Sequence, residues 1–292
     1  MSEQLSYNLP TQTHVASRRM TFPTIITGIL SIVWLVFAFY PVFYVLFTSF
    51  HSKSGFLLGN VWLPPTHPTL ANYVQVLDSG FARYLFNSAF VSVISVVCIV
   101  LFSLTASYVL VKVTNNFSRT IFNIILIALA IPLQALIIPI YSMIYHAGLY
   151  DTFLGLILPS IAFGLPLSIL ILVNFLRDIP NELYEAMQLD GVGEYGMLWY
   201  LIVPLSIPAL IAVAIYQFIQ VWNNFLFPLI LTQSTNMKLL PLAIVSFEGQ
   251  YTIDVPAVMA AVVLSALPLI IGYILSRKYL LRAMAGAFSM SR

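Results

Sequence analysis

An all-α, polytopic membrane fold with six transmembrane helices is what the sequence predicts, and three observations carry that reading. The 292 residues are 60% hydrophobic and only 8% charged, against about 25% charged in an ordinary soluble domain. Six apolar runs, at 22–49, 86–111, 120–144, 153–176, 201–228 and 257–276, hold no Asp, Glu, Lys, Arg or His, and each is long enough for a bilayer that takes about 20 helical residues. The charges collect between the runs in an asymmetric way.

The first run follows Arg18 and Arg19 and so has the look of a secretory leader. It is much longer than a leader's apolar region of about 7–15 residues and closes on no small-x-small cleavage site, so it reads as a retained helix. With the N-terminus inside, Arg18, Arg19, Lys112, Arg119, Arg177, Arg277, Lys278, Arg282 and Arg292 fall on the cytoplasmic side. Lys53, Arg83 and Lys238 fall outside, the asymmetry that the positive-inside rule requires. An even number of spans returns the C-terminus to the cytoplasm. The domain reading is a cytoplasmic segment at 1–21, a six-helix membrane domain at 22–276 and a cytoplasmic tail at 277–292.

Between runs one and two, residues 50–85 form a long outer connection; 229–256 form another, and 177–200 a long inner one. Connections of that length usually carry function. Prolines 41, 132, 139, 159, 166, 204, 208, 228 and 268 lie in or beside the runs, where each removes a backbone donor and bends a helix. Cys98 sits alone in an apolar run and can form no internal disulfide. The formal charge of +2, from 12 basic and 10 acidic residues, shows no basic cluster for a nucleic-acid partner.

The inner loop holds five of those acids: Asp178, Glu182, Glu185, Asp190 and Glu194. It reads as a short surface helix, with Pro180 suited to the first helical position, acids in the first turn and Gly191 as the left-handed terminator. Leu183, Ala186, Met187 and Asp190 are spaced to share a face. Such a helix is either a docking peg for a soluble partner or an interfacial helix resting on lipid, although an acid-rich helix suits anionic lipid poorly. Glu194, beyond the Gly191 turn, is expected to matter less than Glu185.

Residues 177–208 resemble the loop signature of importer permeases: Glu-Ala-Ala, three residues, Gly, nine residues, then Ile-x-Leu-Pro. Here it stands as Glu185-Ala186-Met187, Gly191 and Leu201-Ile202-Val203-Pro204, with Met187, Leu201 and Val203 as apolar replacements. LPPTHPTLANYVQVL at 63–77, RYLFNS at 83–88, the stretch 131–159, WNNFLFPLIL at 222–231 and RKYLLRAMAGAFSM at 277–290 are similar to the maltose-type sugar permeases of ATP-binding-cassette importers. Residues 1–20 carry no resemblance. The family implies the type I importer permease fold and a pore shared with a second permease subunit. It also implies two cytoplasmic ATPase subunits that hold the ATP and Mg, an extracytoplasmic solute-binding protein, and no cofactor on this chain. By the same resemblance, Glu182, Leu183, Glu185, Ala186, Met187, Asp190 and Gly191 couple to the ATPase.

Gly191, Gly193 and Gly196 match G-x-G-x-x-G, but no strand–turn–helix unit surrounds them, and no phosphate-binding loop with its Lys occurs. The four histidines are scattered without metal spacing. In the fifth run Tyr216, Gln217, Gln220, Asn223 and Asn224, with Trp222 beside them, offer the neutral amides and aromatic faces that a sugar calls for; Gln134 and Tyr141 join them as pathway candidates. Interhelical hydrogen bonding explains the same residues. An ion-coupled carrier would place ionisable groups inside its spans, and these runs have none. A permease for a non-sugar solute in the same superfamily stays open.

Overall fold

The computed structural model describes residues 22–245 and 253–290, with side chains from 26 to 245 and from 253 to 274. Residues 1–21, the expected cytoplasmic segment, lie outside the described residues. Two compact units divide the chain at Tyr44. What is described of the first is most of α1 (Phe22–Ser49), an apolar helix whose side chains from Ile26 to Phe43 are all exposed.

The second unit begins with the end of α1. There the Asn72 amide donates to the carbonyls of Ser49 and His51, both at 2.8 Å, closing carbonyls that a helix end leaves open. A short α2 (Lys53–Leu58) follows, capped by Ser52. The expected outer loop 50–85 is only partly a loop. α3 (Ala71–Val76) runs through a π-helical turn at Leu77–Phe81 into α4 (Ala82–Lys112), and Gly80 takes φ 88° inside that turn. Only glycine adopts this conformation without strain, so the helical path breaks at Gly80 and the chain kinks into α4.

Ser88, Ser92, Ser95, Ser103 and Ser107, spaced by three, four or eight residues, are buried along α4. Small residues at helical spacing let membrane helices approach closely; α4 packs along α7 (Phe153–Arg177), while Ser88 accepts from the Leu240 N–H at 2.8 Å. Gly164 of α7 lies in the path of Ile99, and the Ser107 hydroxyl donates across to the Ile169 carbonyl at 3.3 Å. The third apolar run is not one helix. α5 (Asn116–Ala128) and α6 (Ile137–His146) are joined by a 3-10 turn at Leu133–Leu136, and the pair is bent by 93°. Pro132 explains the break, because it has no N–H to donate and disfavours a helical residue before it.

After α7 come α8 (Asn181–Leu189), α9 (Glu194–Met197), a π-helical stretch at Leu198–Ile202 and α10 (Val203–Trp222). The chain closes with α11 (Leu226–Leu231), α12 (Leu240–Val245) and α13 (Val255–Met290), which passes unbroken through residue 277. Among the described residues, five helical stretches are long and apolar enough to cross a membrane, and the bent α5–α6 pair makes up to six.

The ends of α4 and α7 at Lys112 and Arg177 meet α8 to α10 around Leu172, Leu176, Met197, Ile202 and Val213. At the opposite end, the Arg83 guanidinium donates to the Asn236 side chain at 2.7 Å. Asp151 adopts φ 57° and accepts from the backbone of Gln233 at 2.9 Å and Ser234 at 3.1 Å. Partial burial pushes its carboxyl upward, but those N–H groups and the Ser234 hydroxyl outweigh it and hold the pKa below the usual range.

Gly155 opens α7 where a Cβ would be driven into the backbone carbonyl of Leu149. That carbonyl also accepts the Thr152 hydroxyl at 2.6 Å and cannot retreat cheaply. Gly155→Ala is therefore expected to destabilise the protein by about 1–3 kcal/mol, read as a lower thermal midpoint of the detergent-solubilised protein. An unchanged midpoint would show that the turn has slack.

Candidate functional site: an exposed helix and a polar recess

α8 begins one residue later than expected. Pro180 is the N-cap, at ψ 137°, and Asn181 is the first helical residue. The terminator is as expected: Gly191 has φ 75°, its N–H donates to Gln188 and that of Val192 to Met187, both at 3.0 Å. This double bond pattern satisfies two end carbonyls and stops the helix abruptly.

The face that α8 turns outward differs from the expected one. Tyr184 and Met187 pack against the bundle, and burial pushes the Tyr184 phenol upward. At 100° per residue, the opposite side carries Glu182, Glu185, Ala186 and Leu189, all exposed. Met187 thus anchors the helix to its own bundle. Leu183 is 40% exposed at the margin, and Asp190 is the exposed C-cap. Leu189 is 89% exposed, and its position four residues after Glu185 was the available signal for it.

Glu194 has a role that its place beyond the turn did not suggest. One carboxylate oxygen accepts from the Tyr108 hydroxyl at 2.7 Å and the other pairs with the Lys112 ammonium. The loop carrying α8 is thereby tied to the last turn of α4. The ammonium also lies over the Tyr108 ring, 5.8 Å from its centre. Glu194 is largely exposed, so its ion pair is screened and contributes about 0.2–1 kcal/mol. Tyr108 is only 7% exposed, and a hydrogen bond from such a group to a charged acceptor contributes more, about 1.5 kcal/mol.

Of the pathway candidates, Tyr216, Gln217, Gln220 and Asn224 meet at one recess of about 240 Å³, with Ser160, Leu129 and Leu133 opposite. Gln217 is buried, and its amide donates at 2.9 Å to both the Gly164 carbonyl and the Ser168 hydroxyl, so its donors serve helix packing. Asn224 accepts from the Phe227 N–H in the first turn of α11 at 2.9 Å. Trp222 is buried and stacks on Phe218 at 5.5 Å, away from the recess. Asn223 is exposed and donates to Ile219 on its own helix. Gln134 is exposed on the 3-10 turn. Tyr141 stands with Tyr145 and Tyr150, ring centres 5.8 and 5.6 Å away. Among the described residues no three His, Cys, Asp or Glu come together as metal ligands.

Residues 99–286 match the family model described as the binding-protein-dependent transport system inner membrane component. The chain belongs to that family. A putative ABC transporter permease protein of Caldicellulosiruptor sp. strain Rt8B.4 is 41% identical over 87% of this permease and 93% of that protein. The glucose import system permease protein GlcU of Saccharolobus solfataricus is 34% identical over 88% and 91%. In fold, the permease is similar to a bacterial ABC transporter involved in importing the acidic polysaccharide alginate. The TM-score is 0.80 at 24% identity, covering 90% of this chain and 98% of that one.

In this permease the relative strength of the two Glu194 contacts is open to measurement. Tyr108→Phe keeps the ring and loses only the hydroxyl, and it is expected to speed hydrogen exchange at the amides of 193–197 more than Lys112→Met does. The reverse order would make the ion pair the principal tie.

Proposed function

We propose that this permease imports a carbohydrate, with both termini in the cytoplasm and α8 docked on an ATPase subunit that binds ATP and Mg. A second permease completes the pore, a second ATPase subunit completes the motor, and an extracytoplasmic solute-binding protein delivers the sugar. The observation that carries the reading is α8 itself, a helix presenting Glu182, Glu185, Ala186 and Leu189 outward while Tyr184 and Met187 hold it to the bundle. A carboxylate beside exposed apolar side chains suits a partly buried contact with a basic group, where charge-assisted hydrogen bonds are stronger than surface ion pairs.

The route from docking to pore follows the packing. A shift of α8 imposed by the ATPase reaches α4 through Glu194, Tyr108 and Lys112. α4 packs on α7 and α10, which line the recess at Ser160, Tyr216 and Gln220. Packed helices and side-chain contacts of this kind carry energetic coupling between distant sites. Support for a carbohydrate comes from the glucose-importing relative and from the neutral amides and phenol of the recess.

Glu185→Lys sets like charges at the docking face. It is expected to reduce ATP-dependent uptake of glucose or maltooligosaccharide in proteoliposomes about tenfold or more, with normal membrane insertion. Wild-type uptake together with normal ATPase binding would remove Glu185 from the contact and leave Ala186 and Leu189 to make it.

Orientation has its own test. Asn115 caps α5, so the reporter belongs at the next residue, exposed Asn116. In a Cys98→Ala background, Asn116→Cys is expected to resist a membrane-impermeant thiol reagent added outside; reaction from outside would invert the topology.

A further inference from the structure

At the α8 end of the bundle, Lys112 closes α4, Arg177 closes α7 and Asn181 opens α8, and the three border a cleft of about 360 Å³. Tyr184 and Thr114 add hydroxyls to its lining, and Tyr108, whose own hydroxyl is given to Glu194, borders it as well. Its inner wall is apolar, made by Val111, Leu176 and Ile179. The volume is far above what one water molecule needs.

The two cations are not equivalent. Lys112 is committed to Glu194, whereas Arg177 has no carboxylate partner among the described residues. The Arg177 guanidinium lies 5.3 Å from the centre of the Phe122 ring, a contact that holds the group at the rim while leaving its N–H fork free of any ion pair. Asp178, next in the chain, is exposed and does not line the cleft. The cleft therefore carries one uncompensated positive charge, several neutral donors and an apolar wall. Both cations terminate long apolar helices, which places the cleft where hydrocarbon gives way to headgroups.

We propose that this cleft binds the singly charged phosphodiester headgroup of an anionic phospholipid, with Arg177 as its principal ligand. The apolar wall fits a lipid's glycerol end better than it fits free phosphate, which is hydrated on all sides. A bound headgroup sits against Asn181 and Tyr184, at the root of the helix that docks the ATPase, and so steadies that helix. The inference rests on the cytoplasmic orientation proposed above, but its readout is lipid binding and needs no transport.

The assembled importer, in nanodiscs of phosphatidylcholine and phosphatidylglycerol, is labelled with a photoactivatable phosphatidylglycerol, and the lipid adducts within 108–114 and 176–184 are quantified. Arg177→Gln is expected to lower that yield about tenfold or more, the scale of one hydrogen bond to a charged group. Asn181→Asp puts an acid in the first turn of α8, where it favours the helix, yet its charge should repel the headgroup and also lower labelling. Arg119→Gln, exposed at the same end and off the cleft, should leave labelling intact. Equal labelling in wild type and Arg177→Gln, or no loss in Asn181→Asp, would overturn the proposal. So would full displacement by inorganic phosphate, which would make free phosphate the ligand. Loss of the ATPase subunit from Arg177→Gln with undiminished labelling would assign the cleft to a partner side chain instead.

Discussion

A peptide group left unpaired in hydrocarbon costs several kcal/mol, and the architecture follows from avoiding that cost. Each long apolar run must be helix, and each break in a helix must find its hydrogen bonds elsewhere. At Pro132 the chain answers with a 3-10 turn before α6 resumes. At the end of α1 the Asn72 side chain takes two carbonyls, and at Gly80 a positive φ breaks the helical path and lets the chain kink into α4. Within α7, the hydroxyls of Ser160 and Ser168 donate back to carbonyls four residues earlier.

The same solvent expels charge to the helix ends, where it becomes useful. Lys112 and Arg177 are the last residues of their helices and stand at the root of α8. Lys112 and Tyr108 clasp Glu194, so the segment that presents α8 is bound to a membrane helix. Exposed ion pairs are weak individually, and the more buried Tyr108 hydroxyl contributes the firmer half of this clasp. Neutral side chains do the corresponding work inside the bundle. Gln217 spends its amide donors across the α7–α10 contact, and small residues set how near α4 and α7 come.

Much of this was legible in the chain. Six apolar runs, the acid-rich segment and Gly191 as its terminator follow from composition and local backbone preference, which need no tertiary context. The family was legible because the spacing from Glu185 through Gly191 to Pro204 is a property of the linear sequence. Of the fifth-run group Tyr216, Gln217, Gln220, Asn223 and Asn224, all but Asn223 come to one recess.

Tertiary structure decided which way each group faces. Met187 and Leu189 are both apolar residues on one short helix, yet one packs on the bundle and the other stands in the open, because the anchoring side of α8 is chosen by the ends of α4 and α7. Glu194 looked like one more solvated acid until its neighbours across more than 80 residues of sequence separation were known. Trp222 shares a helix with the recess residues but turns to Phe218 and the core. Helical period sets angles between residues and leaves the bundle to set their origin; only packing supplies that direction.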